Sequence, residues 1–226
     1  MSRHKYFYIS PSETELRRTK VLEGPFLDLN INTLPSTPHE TFKAWFHEAV
    51  ELGVREPHAM TVSTVDEEGY PDARVLILKN VDERGWHFAI KADSPKGKQL
   101  TKTGRAALTF YWPDLARQIR IKGKAAPLPD EESAQDYKDR PVESRISAIA
   151  SRQSEVLPGP EILQESLAKT ADLLKEDPFA GVTKWRVYAV APEMVEFWQG
   201  DSSRLHKRVQ FQQTKEGNWQ KQMLWP

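Results

Sequence analysis

Short stretches of strand character, each followed by a turn signal, recur through most of this chain and constrain its fold more than any other feature. Met60–Val65 is an alternating, β-branched run that precedes the acidic turn Asp66–Gly69. Arg74–Lys79 follows, and a second acidic turn at Asp82–Gly85 separates it from Trp86–Lys91. Runs and turns at this spacing predict antiparallel hairpins. Further strands are predicted at Ala106–Trp112, Gln118–Ala126, Trp185–Val190, Met194–Trp198, Val209–Gln213 and Trp219–Leu224.

Helical segments interrupt this series of strands rather than alternating with them. A helix is predicted from Thr37, because apolar residues recur at helical spacing until Gly53 supplies a C-terminal stop. Another is predicted after Ser94, a good N-cap, with Pro95 at the first helical position. Further helices are predicted at Asp130–Lys138, from Pro141 to Ile149 and from Pro160 to Leu174. This order favours a mainly β fold with helices (α+β), and a β-barrel rather than a doubly wound sheet.

The beginning of the chain differs in character from the rest. Residues 1–37 are polar, are broken by Pro11, Pro25 and Pro35, and show no sustained apolar period. They are predicted to form an N-terminal arm or lead-in. Residues 38–226 carry the strands and helices, and the chain of 226 residues is within the range of one domain.

Charge and residue usage argue against several classes of function. Lys+Arg and Asp+Glu both total 32, so no nucleic-acid partner is expected. The chain has no cysteine, which excludes thiolate catalysis and cysteine-ligated zinc, and no metal site is predicted. No apolar run approaches the roughly 18–20 residues of a membrane span. The first residues also lack the apolar part of a secretory signal, so a cytoplasmic protein is expected.

Two segments in the first half of the chain carry basic side chains suited to binding an anion. Arg74 and Lys79 flank an apolar run and, five residues apart on a strand, would point to opposite faces unless a bulge intervenes. The helix start Ser94–Lys98 offers backbone N–H groups and ammonium groups to a phosphate. Taken alone, the first segment is better explained as solvated strand ends and the second as an ordinary capped helix on the surface.

Two later regions repeat this combination of basic, hydroxyl and amide side chains. Arg140–Arg145 and Ser151–Ser154 could complete a phosphate site or simply cap helices. Glu196–Gly200 supplies aromatic side chains that could support a planar ring. If the segment that follows is extended, three basic side chains share one face at period two: Arg204, His206 and Arg208.

These segments, in this order, resemble the pyridoxamine (pyridoxine) 5'-phosphate oxidase family from about Pro57 to Pro226. The similarity also covers Arg117–Arg120 with Gly123 and the terminal Leu224–Pro226. Each motif is weak by itself, but their collinear order is specific. The resemblance implies an FMN-binding split β-barrel that forms a homodimer, with two active sites at the subunit interface.

The resemblance also implies roles for individual residues. The substrate phosphate would meet Lys79, Arg140 and Ser144, while Arg204 and His206 would contact the substrate near its reacting carbon as the catalytic pair. The implied reaction oxidises pyridoxine or pyridoxamine 5'-phosphate at C4' to pyridoxal 5'-phosphate, with O2 as acceptor and H2O2 as product. FMN would be held by Arg74, Val75, Leu76, Ile77, Leu78, Ala89, Ile90, Lys96, Gln118, Gln153, Ser154, Trp198 and Arg208.

Two positions depart from the family pattern. Pro95 stands where the family commonly has an arginine that binds the flavin phosphate, and Lys98 or the helix N-terminus could compensate. Asp136 stands where a tyrosine normally touches the substrate phosphate. Because a carboxylate repels a phosphate, either the helix is rotated to present Tyr137 or the substrate differs.

Two alternative functions follow from the same residues. Ala92–Gly97 and Ala150–Glu155 are similar to a relative in phenazine biosynthesis, which oxidises a tricyclic, non-phosphorylated intermediate with the same flavin. Split barrels also include flavin- or haem-binding proteins without turnover. Lys79 favours a phosphorylated substrate, and Arg204 together with His206 favours catalysis over passive binding.

Overall fold

The computed structural model describes residues 13–22 and 26–226, and its dominant feature is an antiparallel sheet that closes into a barrel. Neighbouring strands follow the order β3-β2-β1-β4-β5-β6-β7-β8, and β3 also pairs with β6. The first six strands therefore form a closed ring, which confirms the predicted split-barrel class. The strands β1 to β8 are Ala59–Val65, Pro71–Asp82, Gly85–Lys91, Arg105–Trp112, Arg117–Pro127, Trp185–Gln199, Lys207–Gln213 and Trp219–Leu224.

Strand β6 belongs both to the barrel and to an extension beyond it. Its first half, Trp185–Val190, pairs with β3, and its second half, Met194–Gln199, pairs with β7. The sequence predicted two separate strands here. The backbone instead continues through Pro192, which lies opposite Gly123 where the register of β5 on β6 shifts. A bulge tolerates the missing N–H of a proline, so the strand bends without ending.

The predicted helices are confirmed, and two of their caps have the expected geometry. The Oγ1 of Thr37 accepts the Glu40 N–H at 3.3 Å, and the Oγ of Ser94 accepts the Gly97 N–H at 3.3 Å. The sequence missed the short helix α1 in the arm, whose residues 1–12 and 23–25 lie outside the described residues. The helices α1 to α6 are Glu13–Arg18, Pro38–Glu51, Pro95–Thr103, Asp130–Lys138, Val142–Ala150 and Pro160–Glu176, with 3-10 turns at Pro113–Leu115 and Val182–Lys184.

The barrel interior and the inner face of α2 form the main core. The ring of Phe42 on α2 lies 5.5 Å from Trp86 and 5.0 Å from Phe110, both from barrel strands. Trp45 packs edge-on against Phe197 at 5.1 Å. Burial of each large apolar side chain stabilises the fold by about 1.5–3 kcal/mol. The barrel is thus a firmly packed scaffold whose outward-facing strand residues are available for binding.

Candidate active site

A cleft of about 560 Å³ lies between the outer face of the β2–β3 hairpin and helix α5. It gathers segments that are far apart in sequence, from β2, β3, the first turn of α3 and the region around α5. Ten of the predicted site residues line this cleft: Val75, Leu76, Ile77, Lys79, Ala89, Ile90, Lys96, Arg140, Ser144 and Gln153.

Strand β2 supplies one wall of the cleft by alternating its side chains. Leu76 and Leu78 pack against the barrel core. Val75 and Ile77 point the other way and are 64% and 41% exposed. This face is apolar up to Lys79, which is the last residue of β2 that lines the cleft. The wall is therefore suited to a flat apolar surface with an anionic group beyond it.

Arg74 points away from this wall. Its Nη1 donates to the carbonyl oxygen of Val62 at 3.2 Å and to Oγ1 of Thr64 at 2.7 Å, and its Nη2 forms an ion pair with Asp72. Arg74 and Lys79 thus face opposite sides, as their spacing predicts, although the register of β2 on β3 shifts just after Leu78. Arg74 does not line the cleft.

Lys96 is a buried cation at one end of the cleft. Its side chain belongs to the first turn of α3, the residue is only 6% exposed, and its Nζ donates to Oε1 of Gln153 at 2.8 Å. Burial lowers the pKa of Lys96, and the nearby charges of Arg74 and Lys91 lower it further, while Asp72 acts in the opposite direction. Within the described part of the chain, no carboxylate forms an ion pair with Lys96. A desolvated ammonium without a counter-ion is a favourable place for an anion.

Asp136 lies at the other end of the cleft, beside Lys79. One carboxylate oxygen, Oδ1, is 2.9 Å from the Nζ of Lys79, and the other, Oδ2, accepts the indole N–H of Trp185 at 2.7 Å. The neighbouring Tyr137 is buried, and its hydroxyl donates to the carbonyl oxygen of Ala180 at 2.6 Å. Successive helix residues point about 100° apart, so α4 presents Asp136 to Lys79 and not Tyr137. The interpretation in which Tyr137 replaces the family tyrosine is wrong.

Arg140 lies over the same indole ring. Its guanidinium carbon is 4.0 Å from the ring centroid of Trp185, and its Nη2 donates to the carbonyl oxygen of Ser144 at 3.1 Å. Burial lowers the pKa of Arg140, and Asp136 acts in the opposite direction. The Nε of Arg140 is buried and has no hydrogen-bond partner among the described residues. The protein therefore does not use the full donor capacity of this guanidinium.

A second set of predicted residues lies on the extension, away from the cleft. Gln118 on β5 pairs with Trp198 on β6, which pairs with Arg208 on β7. We call these three paired residues, Gln118, Trp198 and Arg208, the strand row. The Nε of Arg208 lies 2.8 Å from the buried carboxylate of Glu196, and its Nη1 donates to the carbonyl oxygen of Trp225 at 3.0 Å. The guanidinium is thus held in place by one partner on β6 and one just after the end of β8.

Arg204 and His206 lie next to the strand row, but not on one extended face. Arg204 has a φ of 69° and closes a turn in which its N–H donates to the carbonyl oxygen of Asp201 at 3.1 Å. The Asp201 carboxylate accepts the Ser203 N–H at 2.8 Å, and such a local bond favours a turn over a strand. The extended interpretation is therefore wrong before β7 begins at Lys207.

The same turn fixes the tautomer of His206. The backbone N–H of Asp201 donates to Nδ1 of His206 at 3.1 Å, and the His206 ring lies 4.8 Å from the ring of Trp198. A nitrogen that accepts this bond carries no proton, so a neutral His206 carries its proton on Nε2. His206 is thereby prepared to donate a hydrogen bond from the ring edge that faces away from Asp201.

None of the strand-row residues lines the cleft. Around the six-strand ring, β2 and β5 are three strands apart in either direction. Of the remaining predicted residues, Leu78 is in the core, and Ser154, with a φ of 71°, lines a separate cavity beside α6. A single chain therefore does not bring all the predicted site residues together.

Sequence reasoning missed part of the cleft. Lys91 was adjacent to a predicted pair and could have been found from it, whereas Trp185 begins a strand and carried no separate signal. Lys98, proposed as a substitute for the missing arginine, lines an adjoining cavity of about 550 Å³ rather than the cleft itself. The cleft residues that were not predicted are Lys91, Glu143, Ser147, Ala148, Ser151 and Trp185.

Two further classes of site find no support in the described residues. No group of three or more histidine, aspartate or glutamate side chains is placed there to hold a metal ion. Nor does any helix in residues 13–22 and 26–226 combine the length and apolar character needed to cross a membrane.

Comparison with known proteins identifies relatives over nearly the whole chain. Residues 46–174 match the family model described as pyridoxamine 5'-phosphate oxidase, and residues 185–226 match the pyridoxine 5'-phosphate oxidase C-terminal dimerisation region. A pyridoxine/pyridoxamine 5'-phosphate oxidase of Cupriavidus pinatubonensis is 39% identical over 205 residues, covering 91% of this chain and 94% of that protein. The corresponding protein of Herminiimonas arsenicoxydans is 41% identical over 199 residues, covering 88% and 94%.

Solved structures give the same architecture. PhzG from Burkholderia lata, determined in complex with tetrahydrophenazine-1-carboxylic acid, superposes with a TM-score of 0.80 at 31% identity, covering 90% of this chain and all of that one. A pyridoxamine 5'-phosphate oxidase-related, FMN-binding protein from Nostoc punctiforme has a TM-score of 0.68 at 15% identity, covering 85% and 100%. The latter likeness supports the fold alone.

Proposed function

This chain belongs to the pyridoxamine 5'-phosphate oxidase family, and we propose on that premise that it oxidises pyridoxine or pyridoxamine 5'-phosphate to pyridoxal 5'-phosphate with FMN, consuming O2 and releasing H2O2. The observation that supports this proposal most is the cleft. Segments separated by tens of residues converge there, with a buried cation at one end and two further cations at the other. Two anionic groups, a flavin phosphate and a substrate phosphate, require such an arrangement.

The cleft fits a flavin mononucleotide. Lys96, desolvated and bonded to the neutral Gln153, would bind the flavin phosphate by a charge-assisted hydrogen bond. The exposed apolar face formed by Val75 and Ile77 would lie against the flavin ring system. When bound, FMN supplies the hydride acceptor for the substrate carbon and returns the electrons to O2.

The protein's own part in the reaction would be to position the substrate. Lys79, Arg140 and Ser144 would bind its phosphate at the end of the cleft opposite Lys96. His206 would donate a hydrogen bond from Nε2 and Arg204 would supply a positive charge near the reacting carbon. Fixed donors and cations of this kind lower a barrier by orientation and electrostatic stabilisation.

The strand row would reach the cleft only in a homodimer. None of its residues lines the cleft of its own chain, so we infer that Arg208 and Lys96 act on one ligand from different subunits. A twofold dimer has one interface in which each contact occurs twice, and such an interface would bring the strand row of each subunit to the cleft of the other. The match of residues 185–226 to a dimerisation region supports this arrangement.

Hybrid dimers test the shared site directly. Lys96→Met and Arg208→Ala subunits, carrying different tags, would be co-expressed and the hybrid dimer purified through both tags. If each site uses Lys96 from one subunit and Arg208 from the other, a hybrid has one doubly defective site and one intact site. We therefore expect about one tightly bound FMN per hybrid dimer and almost none in either parent dimer. A hybrid as deficient as its parents would refute the shared site.

The reaction itself is tested by adding pyridoxine 5'-phosphate to flavin-loaded protein. Anaerobic bleaching of the flavin, followed by stoichiometric H2O2 on admission of air, is the expected result. Flavin that no donor reduces would indicate a carrier instead of an oxidase.

A second candidate function is favoured by one specific observation. Asp136 forms an ion pair with Lys79, which lowers the positive charge available to a phosphate dianion at the substrate end of the cleft. A non-phosphorylated tricyclic substrate, of the kind bound by PhzG, fits that charge better. Flavin bleaching by tetrahydrophenazine-1-carboxylic acid, without bleaching by pyridoxine 5'-phosphate, would decide for this alternative.

A further inference from the structure

We propose that Asp136 is a specificity-determining residue, an internal anion that competes with the substrate phosphate for Lys79 and weakens the binding of doubly charged groups. This inference rests on the proposed function, because it concerns the substrate end of the same cleft. It goes beyond that function by assigning the control of affinity to a residue that need not itself touch the substrate.

The carboxylate of Asp136 is held in place from two sides. Lys79 approaches one oxygen at 2.9 Å, and the Trp185 indole N–H donates to the other at 2.7 Å. The Lys79 side chain is 36% exposed and the Asp136 side chain 19% exposed, so the pair is partly shielded from solvent. Because both oxygens are engaged, the carboxylate has a defined position instead of sampling solvent.

Charge at this end of the cleft is consequently reduced. Lys79 and Arg140 contribute two positive charges, Asp136 offsets one of them through its ion pair with Lys79, and Glu143 adds a further carboxylate to the cleft lining. A phosphate that binds Lys79 must either displace Asp136 from it or accept a neighbouring negative charge. Both routes oppose a dianion more than a monoanion and leave a neutral group nearly unaffected, because the repulsion scales with the ligand's charge.

Trp185 holds both Asp136 and Arg140 in position beside the cleft. Its indole N–H orients Asp136, and the face of the same ring supports the guanidinium of Arg140 at 4.0 Å. One side chain thus fixes the relative positions of the competing anion and of the second cation. Substitution of Asp136 should therefore alter charge without removing the support for Arg140.

Binding measurements with non-reacting ligands test the proposal independently of turnover. The ligands are 4-deoxypyridoxine 5'-phosphate, which lacks the oxidisable group at C4', and 4-deoxypyridoxine, which lacks the phosphate as well. Isothermal titration of the isolated, flavin-loaded protein gives both dissociation constants. Asp136→Asn keeps the shape of the side chain and an oxygen for the Trp185 N–H, but removes the charge.

We expect Asp136→Asn to tighten binding of the phosphorylated ligand roughly tenfold, which corresponds to about 1.4 kcal/mol, and to change binding of the unphosphorylated ligand less than twofold. Asp139→Asn is the matched control, because it removes one charge from an exposed position just beyond the same helix, where Asp139 bonds to Gln135. It should leave both dissociation constants unchanged. Should Asp136→Asn fold poorly, Asp136→Ser should show the same direction.

The outcomes separate this inference from the proposed function. If pyridoxine 5'-phosphate reduces the bound flavin but the wild type and Asp136→Asn have equal dissociation constants, the inference is overturned and the proposed oxidase function stands. Phosphate binding that is gained only in Asp136→Asn would support the inference and refute the vitamin B6 substrate. Absence of binding in every variant would overturn both.

Discussion

Replacement of Lys96 by methionine should have opposite effects on cofactor binding and on folding. The ammonium is nearly buried and bonds to a neutral amide rather than to a carboxylate. Loss of one charge-assisted hydrogen bond costs about 1.5–3 kcal/mol, so FMN binding to Lys96→Met should weaken about 10- to 150-fold. Flavin fluorescence quenching during titration of the flavin-free protein measures this constant.

Lys98→Met provides the control for the FMN titration. Lys98 lies two residues further along α3, is exposed, and lines the adjoining cavity instead of the cleft. Surface charges contribute at most about 1 kcal/mol, so its loss should weaken FMN binding less than about fivefold. If Lys96→Met bound FMN as tightly as the wild type, the assignment of Lys96 to the flavin phosphate would be refuted.

The flavin-free protein should show the opposite response in its stability. Because the folded state lowers the pKa of Lys96 below its ordinary value of 10.5, the charged form is disfavoured on folding. At any pH between the folded pKa and 10.5, the unfolded chain binds more protons, so the free energy of unfolding rises with pH in this window. Lys96→Met should lose this alkaline rise and should be no less stable than the wild type at neutral pH. Denaturant titrations of both proteins at several pH values test this sign.

Three other substitutions test separate parts of the structure. His206→Ala should retain FMN but slow its reduction by pyridoxine 5'-phosphate roughly tenfold in stopped-flow absorbance, because one hydrogen-bond donor is lost; an unchanged rate would remove His206 from the site. Glu196→Gln should weaken FMN binding by a smaller factor than Arg208→Ala, since it loosens the 2.8 Å pair that orients the guanidinium. Gly123→Ala should destabilise the fold by about 1–3 kcal/mol in denaturant titration, because its Cβ would lie 1.9 Å from the Ala191 carbonyl oxygen.

Local signals were sufficient to predict most of the elements. Strand β8, Trp219–Leu224, and helix α4, Asp130–Lys138, coincide with their predicted limits, because turn residues and prolines mark both ends. The errors arose where a long-range contact overrides a local signal. Pro192 suggests a strand end, yet pairing of β6 with β5 on both sides of it carries the strand through.

The candidate site likewise contains features that local sequence predicts and features that only long-range contacts determine. Alternation on β2 correctly placed Arg74 and Lys79 on opposite faces, since a strand's period needs no tertiary information. The partner of Lys79 could not be predicted in this way. The contact between Lys79 and Asp136 joins residues 57 positions apart, and only the packing of α4 against the barrel decides whether Asp136 or Tyr137 faces the strand.

Because the strands form a closed ring, the order of the motifs along the chain does not show which site residues lie close together in space. A six-strand ring exposes an outward face on every strand, so residues that bind one ligand can be neighbours only if they lie on adjacent strands or meet across an interface. Lys96 lies on α3 and lines the cleft, whereas Arg208 lies on β7, outside the ring, and does not line it. Each is held by its own intrachain partners, Gln153 for the first and Glu196 for the second. In the proposed dimer, the two halves of the site would be held in place within each chain, so dimerisation would bring preformed surfaces together and lower the conformational entropy that ligand binding must overcome.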